Sequence, residues 1–564
     1  VLATLISGVF ALVIGAPALR IRGLFLAVIT LAFSVAVSGW LLHQDWLNNT
    51  AADGSSSMRI PRPVIFGVSF ESEIRYYWLC LGALVLVALV VYRLRSSGVG
   101  RRMIAVRDNE PSAASIAVSP NATKLFAFMI SGMIGAFGGF LYGGLLVNFS
   151  GDIDGTFGPD QSLSLVVMTV FGGVTTIAGP LLGSVWVQGI PRILGKDWGL
   201  LSSGIGVLAV LLALPGGLAS LVFKARDRLV GFAIERHLLT PNPNATPVPS
   251  RSVLPRSVPS RSVLEARTTG GDARGADPDP LEAQNITVRY GGVGALEEVS
   301  VRIGASEIVG IMGPNGAGKT TLFDVLSGQQ RPDRGAVVFC GADVSTTAPH
   351  GRARRGLGRS FQQARLFDDM LLIDAVNLAL ERHTPTNPVS AIVGTPRARR
   401  QNRRRDEEAM AILCDLDLGD AALQQIGGLS TGSRRLAELA CASALGAKVI
   451  LLDEPTAGLT PQEVRSFTRT IARLREESDV SIVVIDHDVP MMRTLVDRLY
   501  VLEAGRLIAH GSPSILDTDE RVIEAYMGAS RGLTLSKDGS NRRNAPTSAT
   551  AGTGNETPSE VEHS

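Results

Sequence analysis

Only four cysteines occur in the 564-residue chain: Cys80, Cys340, Cys414 and Cys441. No two stand at CxxC spacing, which argues against a disulfide scaffold and a cysteine zinc site. Those in the polar half suit a reducing cytoplasm. An excess of one charge is also missing. The 54 Lys and Arg against 52 Asp and Glu leave a formal charge of +2, so no global footprint for nucleic acid exists. No basic n-region precedes the first apolar run, and no cleavage site follows it. The chain opens at Val1 inside that run, so a preceding segment is expected to be missing.

What is abundant is apolar sequence, and it is unevenly placed. Hydrophobic residues make up 45% and mean hydropathy is +0.22. The first 225 residues carry most of that excess; the remainder reads as a soluble protein. A chain of this length holds two or more domains. Apolar runs long enough to cross a bilayer lie near 1–19, 23–43, 77–94, 122–147, 162–190 and 198–223. Arg20 and Arg22, the arginines from Arg93 to Arg107, and Lys224, Arg226 and Arg228 belong inside by the positive-inside rule. The polar stretch 44–76 then faces outward. Both 95–121 and the region after 224 are inside, so an even number of crossings must separate them. Gly172-Gly173, Gly179-Pro180 and Gly183 interrupt 162–195, and suit two short crossings or a re-entrant pair. The stretch 98–120 is cytoplasmic by the same reasoning. Its small residues permit a short helix there to dock closely on a soluble partner.

Four stretches carry a family resemblance: GAPALRIRGLFLAVITLAF at 15–33, GRRMIAVRDNEPSAASIAV at 100–118, KLFAFMISGMIGAFGGFLYG at 124–143 and VVMTVFGGVTTIAGPLLGS at 166–184. On these, the half resembles the C-terminal two-thirds of permease subunits of branched-chain amino acid importers. The resemblance implies a coupling helix at about 98–118, with Gly100, Arg101, Arg107 and Glu110, that inserts into an ATPase. It also implies a second permease subunit and an extracellular solute-binding protein.

Residues 226–279 turn to Pro, Ser, Arg and Thr, with PSRSVL at 249–254 and again at 259–264. Such composition cannot bury enough apolar area to order itself, so this is read as a disordered linker. Residues 529–564 read as a disordered tail.

Residues 280–528 carry the chemistry. The strand IVGIM at 308–312 runs into Gly313, Pro314, Asn315, Gly316, Ala317, Gly318, Lys319, Thr320 and Thr321. This is G-x-x-x-x-G-K-[ST] in strand–loop–helix context. The backbone N–H groups of such a loop form an anion nest at a helix N-terminus. Lys319 would reach the β- and γ-phosphates of ATP, and Thr320 would hold Mg²⁺. Downstream, KVILLDEPTAGL at 448–459 puts Asp453 at a strand end for the Mg²⁺ shell, and Glu454 beside it to polarise water.

With both motifs in order, this half resembles the ATP-binding cassette family, nearest its branched-chain amino acid importers. The resemblance implies that Gln362, in GRSFQQARLFDDM, contacts Mg²⁺ and water, and that 363–370 receives the coupling helix. It places His487 as the switch histidine and Tyr290 against adenine. Ser430 and Gly432, in GLSTGSRRL, would face the ATP of a second cassette, whether a self copy or a sister subunit. Thr431 and Ser433 stand where Gly and Gln are usual, and Thr460 where Asp or Asn is usual. Arg434, Arg435 and the run Arg397 to Arg405 are expected to be solvated. The fold class expected is a multi-domain chain, an all-α polytopic membrane domain at 1–225 ahead of an α/β P-loop cassette at 280–528. Its activity would be ATP-driven import at the cell membrane, with the cassette in the cytoplasm. The alternatives are an importer of urea or amides, or a degenerate subunit that needs a sister ATPase.

Overall fold

The computed structural model describes residues 2–19, 67–146, 148–150, 159–189, 280–360 and 366–525, with short stretches between 32 and 65 and between 192 and 228. The expected spans at 23–43 and 198–223, the linker and the tail lie wholly or largely outside the described residues.

In the apolar half, α1 (Leu2–Ala18) packs against α5 (Pro120–Leu146). Gly8 faces Met133 and Gly15 faces Phe128, so the two helices run antiparallel. The contact is built from small residues. A methyl on Gly132 would lie 2.5 Å from Ala11 Cβ, and the Ser7 hydroxyl donates to Gly132 O at 3.2 Å. Close backbone approach of this kind suits helices that have no water to expel between them. Helix α2 (Glu73–Arg95) and α5 are the two described helices long and apolar enough to cross a membrane. Few of their apolar side chains are buried, and many are exposed, among them Tyr77, Trp78, Val85, Leu89 and Tyr92 of α2 and Phe140 and Leu145 of α5.

The glycine-rich stretch is not one helix. Helix α6 (Pro159–Gly172) ends at a turn, and α7 (Gly179–Ser184) folds back against it. Gly172 abuts the Gly179 carbonyl and Gly183 abuts the Met168 carbonyl, closer than any side chain allows. The glycines therefore set this pairing, as two short packed segments require.

After α2, the chain forms α3 (Gly98–Asp108) and α4 (Glu110–Ser115). The expected coupling helix at 98–118 is thus two helices. Asn109 divides them, its side chain accepting from Ser112 N at 3.1 Å to cap α4.

The polar half is α/β. An antiparallel sheet contains β1 (Leu281–Tyr290), β2 (Val293–Ile303), β4 (Arg334–Phe339) and β5 (Ala342–Asp343), in the order β2-β1-β4-β5. A second sheet has the order β6-β7-β8-β3-β9-β10. Its members are β3 (Ile308–Met312), β6 (Leu357–Arg359), β7 (Val449–Asp453), β8 (Ser481–Ile485), β9 (Arg498–Glu503) and β10 (Arg506–Gly511). Strands β6, β7, β8, β3 and β9 are parallel, and β10 closes one edge antiparallel. Every residue of β3, β7 and β8 is buried, as both-face coverage demands.

The helices around this sheet include α8 (Lys319–Ser327), α9 (Pro349–Arg355), α10 (Leu372–Leu380), α11 (Pro388–Val393), α12 (Pro396–Asp415), α13 (Thr431–Ala444), α14 (Pro461–Ser478) and α15 (Val489–Leu495). The two halves share a core. Ala105, Val106, Ala113, Ile116 and Val118 belong to the same buried cluster as Leu366, Phe367, Met370 and Leu372.

Candidate functional site

Register puts the chemistry at one sheet edge. Asp453 pairs with Ile485, and Ile485 with Ile311, so β3, β7 and β8 end together. The segments that leave these ends carry Gly313, Glu454 and His487. Ligands of parallel sheets bind at the carboxyl ends of strands for this geometric reason.

The phosphate loop is held by three glycines with positive φ: Gly313 (151°), Gly316 (83°) and Gly318 (96°). A methyl on Gly318 would sit 2.6 Å from Ala295 O and 2.8 Å from Leu296 Cδ2. The antiparallel sheet is packed that closely over the loop. Lys319 opens α8 and is 7% exposed. Its ammonium donates to the carbonyls of Gly313 at 2.7 Å and Pro314 at 2.9 Å. Burial pushes its pKa down, and the nearby Glu454 and Asp453 carboxylates partly restore it. The loop residues Asn315, Ala317, Thr320 and Thr321 lie in the same turn and first helical turn.

Asp453 is 3% exposed, and burial raises its pKa, against the pull of Arg359. Arg359 reaches Asp453 at 3.6 Å and Asp324 of α8 at 2.7 Å. It thereby ties the strand end to the helix that leaves the phosphate loop. Glu454 sits at φ 45°, a left-handed backbone rare for a non-glycine residue. Its N–H donates to Ile485 O at 2.8 Å, and Arg435 donates to its carbonyl at 3.2 Å. His487 Nε2 lies 3.4 Å from Glu454 Oε1. Tyr290 is 53% exposed, at the hairpin between β1 and β2. Gln362 lies outside the described residues.

Two residues that the sequence did not assign to the site organise this edge. Asp486 is buried, and its carboxylate accepts from Thr456 N at 3.0 Å, Thr456 Oγ1 at 2.7 Å, His487 N at 2.7 Å and Asp488 N at 3.0 Å. It clasps the segment after Glu454 to the segment that carries His487. A carboxylate directly before the histidine, at a strand end, was the available signal. Arg435 is the second, and it corrects an expectation. It is 2% exposed, not solvated, and also pairs with Glu438 at 3.3 Å. Arg434 too is engaged, its guanidinium donating to Leu429 O at 3.1 Å and Gly427 O at 2.5 Å. Arg405, the last of the basic run, is likewise buried.

Ser430 is the N-cap of α13, its hydroxyl accepting from Ser433 N at 3.2 Å. Gly432 has the carboxylate of Glu463 beside it; a methyl there would lie 2.9 Å away. Thr460, the departure noted in the sequence, caps α14 in a capping box with Glu463. Its hydroxyl performs the capping that Asp or Asn would perform.

The joint between the halves is ionic and centred on Glu381, 4% exposed. Arg102 Nε donates to it at 2.7 Å, Arg405 Nη1 at 2.8 Å, and Arg101 lies 3.6 Å away. Arg101 also donates to Asp374 at 3.3 Å, and Arg107 to Asp369 at 2.6 Å. Gly98 is required here. Any side chain on it would collide with the Glu381 carboxylate and with Thr386 Oγ1. Gly100 is constrained differently, by the α2 carbonyls of Leu94 and Arg95. Glu110 pairs with Lys124 of α5 at 2.5 Å, so it braces α4 on its own half.

Comparison with known proteins agrees with this layout. Residues 296–457 match the family described as "ABC transporter", and residues 1–214 match "Branched-chain amino acid transport system / permease component". The high-affinity branched-chain amino acid transport ATP-binding protein BraF of Pseudomonas aeruginosa is 34% identical over 248 residues, 44% of this chain and 97% of that one. LivG of Escherichia coli, of the same description, is 33% identical with the same coverage. The lipopolysaccharide export system ATP-binding protein LptB of Escherichia coli is 36% identical over 248 residues, again 44% and 97%. Covering nearly the whole of these ATPases behind a permease module, the chain belongs to the ATP-binding cassette transporter family and couples ATP hydrolysis to transport.

Proposed function

We propose that the chain is the fused permease and ATPase of an importer of branched-chain amino acids. The observation that carries this is the pairing of modules. The cassette's relatives serve different cargoes, lipopolysaccharide among them, whereas residues 1–214 match a permease of the branched-chain amino acid type. The domains are 1–225 permease, 226–279 linker, 280–528 cassette and 529–564 tail, in the cell membrane with the cassette in the cytoplasm.

The loop Gly313–Thr321 wraps the phosphates of ATP, Lys319 exchanging its two carbonyl partners for phosphate oxygens. Tyr290 stacks on adenine. Glu454 orients the attacking water and accepts its proton, and His487, 3.4 Å away, fixes that carboxylate. Thr320, Gln362 and Asp453 offer hydroxyl, amide and carboxylate oxygens, a donor set that fits Mg²⁺. Bound there, Mg²⁺ would neutralise charge on the β- and γ-phosphates. Ser430 and Gly432 complete the ATP site of a second cassette. A second permease subunit and an extracellular solute-binding protein complete the importer.

Uptake of labelled leucine and labelled urea by membranes holding the full chain and its co-purified partners tests the reading. ATP-dependent leucine accumulation is expected. Accumulation of urea alone would move the chain to the amide importers, and neither cargo moving while ATP is bound but not hydrolysed would favour a degenerate subunit.

A further inference from the structure

Helix α12 begins against the electrostatic grain. Its first ten residues hold six arginines and no acid, although the N-terminal end of a helix repels cations. Arg405 is spent on Glu381 inside the protein. Arg397, Arg399, Arg400, Arg403 and Arg404 are exposed. Only Arg403 has an ion pair among the described residues, a loose one to Glu407 at 4.0 Å. Nothing among the described residues accounts for this density of charge.

Position supplies the missing partner. Helix α2 has 23 residues and so is about 34 Å long, close to the thickness of a bilayer's hydrocarbon core. Arg93 and Arg95 end it at the inner headgroup level. Gly394, in the turn between α11 and α12, lies directly against the Arg93 guanidinium, and α11 packs on α2. Helix α11 therefore sits at that same level. Its Val389 and Val393 are 69% and 67% exposed, one turn apart on one face. One turn on, at the start of α12, Arg397, Arg400 and Arg404 line a cleft of about 460 Å³ together with His383, Thr384 and one carboxylate, Glu408. An apolar pair next to an arginine cluster at headgroup depth has the composition of an interfacial anchor.

We infer that residues 388–404 form a membrane-surface anchor that binds anionic phospholipid headgroups, Val389 and Val393 entering the acyl boundary and the arginines holding phosphate. This fixes the cassette to the bilayer at a second point besides the joint at Glu381.

The test uses the full chain in nanodiscs of phosphatidylcholine alone and of phosphatidylcholine with phosphatidylglycerol, read by hydrogen–deuterium exchange across 388–404. Each arginine near an anionic surface contributes about 1 kcal/mol, roughly fivefold, so exchange should slow by at least on the order of tenfold in the anionic discs. High salt should reverse the slowing. The Arg397→Gln, Arg400→Gln, Arg404→Gln variant should lose it while keeping its detergent ATPase rate and melting temperature. Should that variant unfold, Val389→Ser with Val393→Ser and the salt series on the parent chain give the same reading. Equal exchange in both discs overturns the inference. So does equal slowing by inorganic phosphate in neutral discs, or slowing in neutral discs that grows with protein concentration, which would make the surface a contact between copies.

Discussion

Replacing Glu381 by Gln should uncouple the cassette from the permease. The side chain is 3% exposed, and three guanidiniums close on it at 2.7, 2.8 and 3.6 Å. Two of them, Arg101 and Arg102, come from the permease half; the third, Arg405, comes from the cassette. Gln keeps the shape and removes the charge, so Arg405 and Arg101, with side chains 4% and 10% exposed, stay buried against a neutral amide. Burial already pushes the Arg405 pKa down, with Glu381 the principal counterweight. Breaking a buried pair from one side costs about 3–5 kcal/mol. That cost divides between the cassette fold, through Arg405, and docking of α3, through Arg101 and Arg102. Arg102→Ala separates the two. Its side chain is 28% exposed, so its removal weakens docking alone. In proteoliposomes, Glu381→Gln should lower solute moved per ATP hydrolysed and lower the cassette's melting temperature. Arg102→Ala should do only the first, and more mildly. Unchanged stoichiometry in both variants would refute the view that this joint transmits the motion.

Gly98→Ala should mimic the uncoupling without removing a charge, because its methyl meets the Glu381 carboxylate and Thr386; transport per ATP is the readout. Asp374→Asn should change the pH dependence of melting. Burial raises the Asp374 pKa above 3.8, more than Arg101 lowers it. The folded chain thus holds this proton more tightly than the unfolded one. Its contribution to stability is present below 3.8 and is lost as pH rises through the raised value; the Asn variant should lack that loss. Thr460→Val, which breaks the capping box of α14, should cost about 1 kcal/mol by denaturant unfolding of the full chain in detergent.

The sequence announced the site more completely than it announced the joint. Strand, glycine loop and helix are contiguous, so local order was enough to place Gly313 to Thr321. Asp453 and Glu454 followed because a buried strand has a definite end. Fates of individual arginines were not legible. Arg434, Arg435 and Arg405 sit in runs that look solvated, yet Arg434 is claimed by carbonyls of the preceding turn, and Arg435 and Arg405 by a carbonyl and a carboxylate 19 and 24 residues away. Charge patterning reads the local face of a helix and not what crosses over it. Asp486 escaped for a related reason, since Thr456 reaches it only once β7 and β8 lie side by side. The division of 98–118 at Asn109 was readable in hindsight from Asn-Glu-Pro, which is a cap followed by a helix start. Glycine pairs at 172–183 gave the break correctly, because steric exclusion is a local property.

Hydrolysis by the full chain, measured for the parent and for Glu454→Gln, bears most directly on the central claim. The parent is expected to turn over ATP in a Mg²⁺-dependent manner. The variant should bind ATP but turn over slower by about 10²–10⁴, the usual loss of a general base. A parent that hydrolyses ATP no faster than this variant would contradict it, since the geometry around Glu454 and His487 would then do no chemistry.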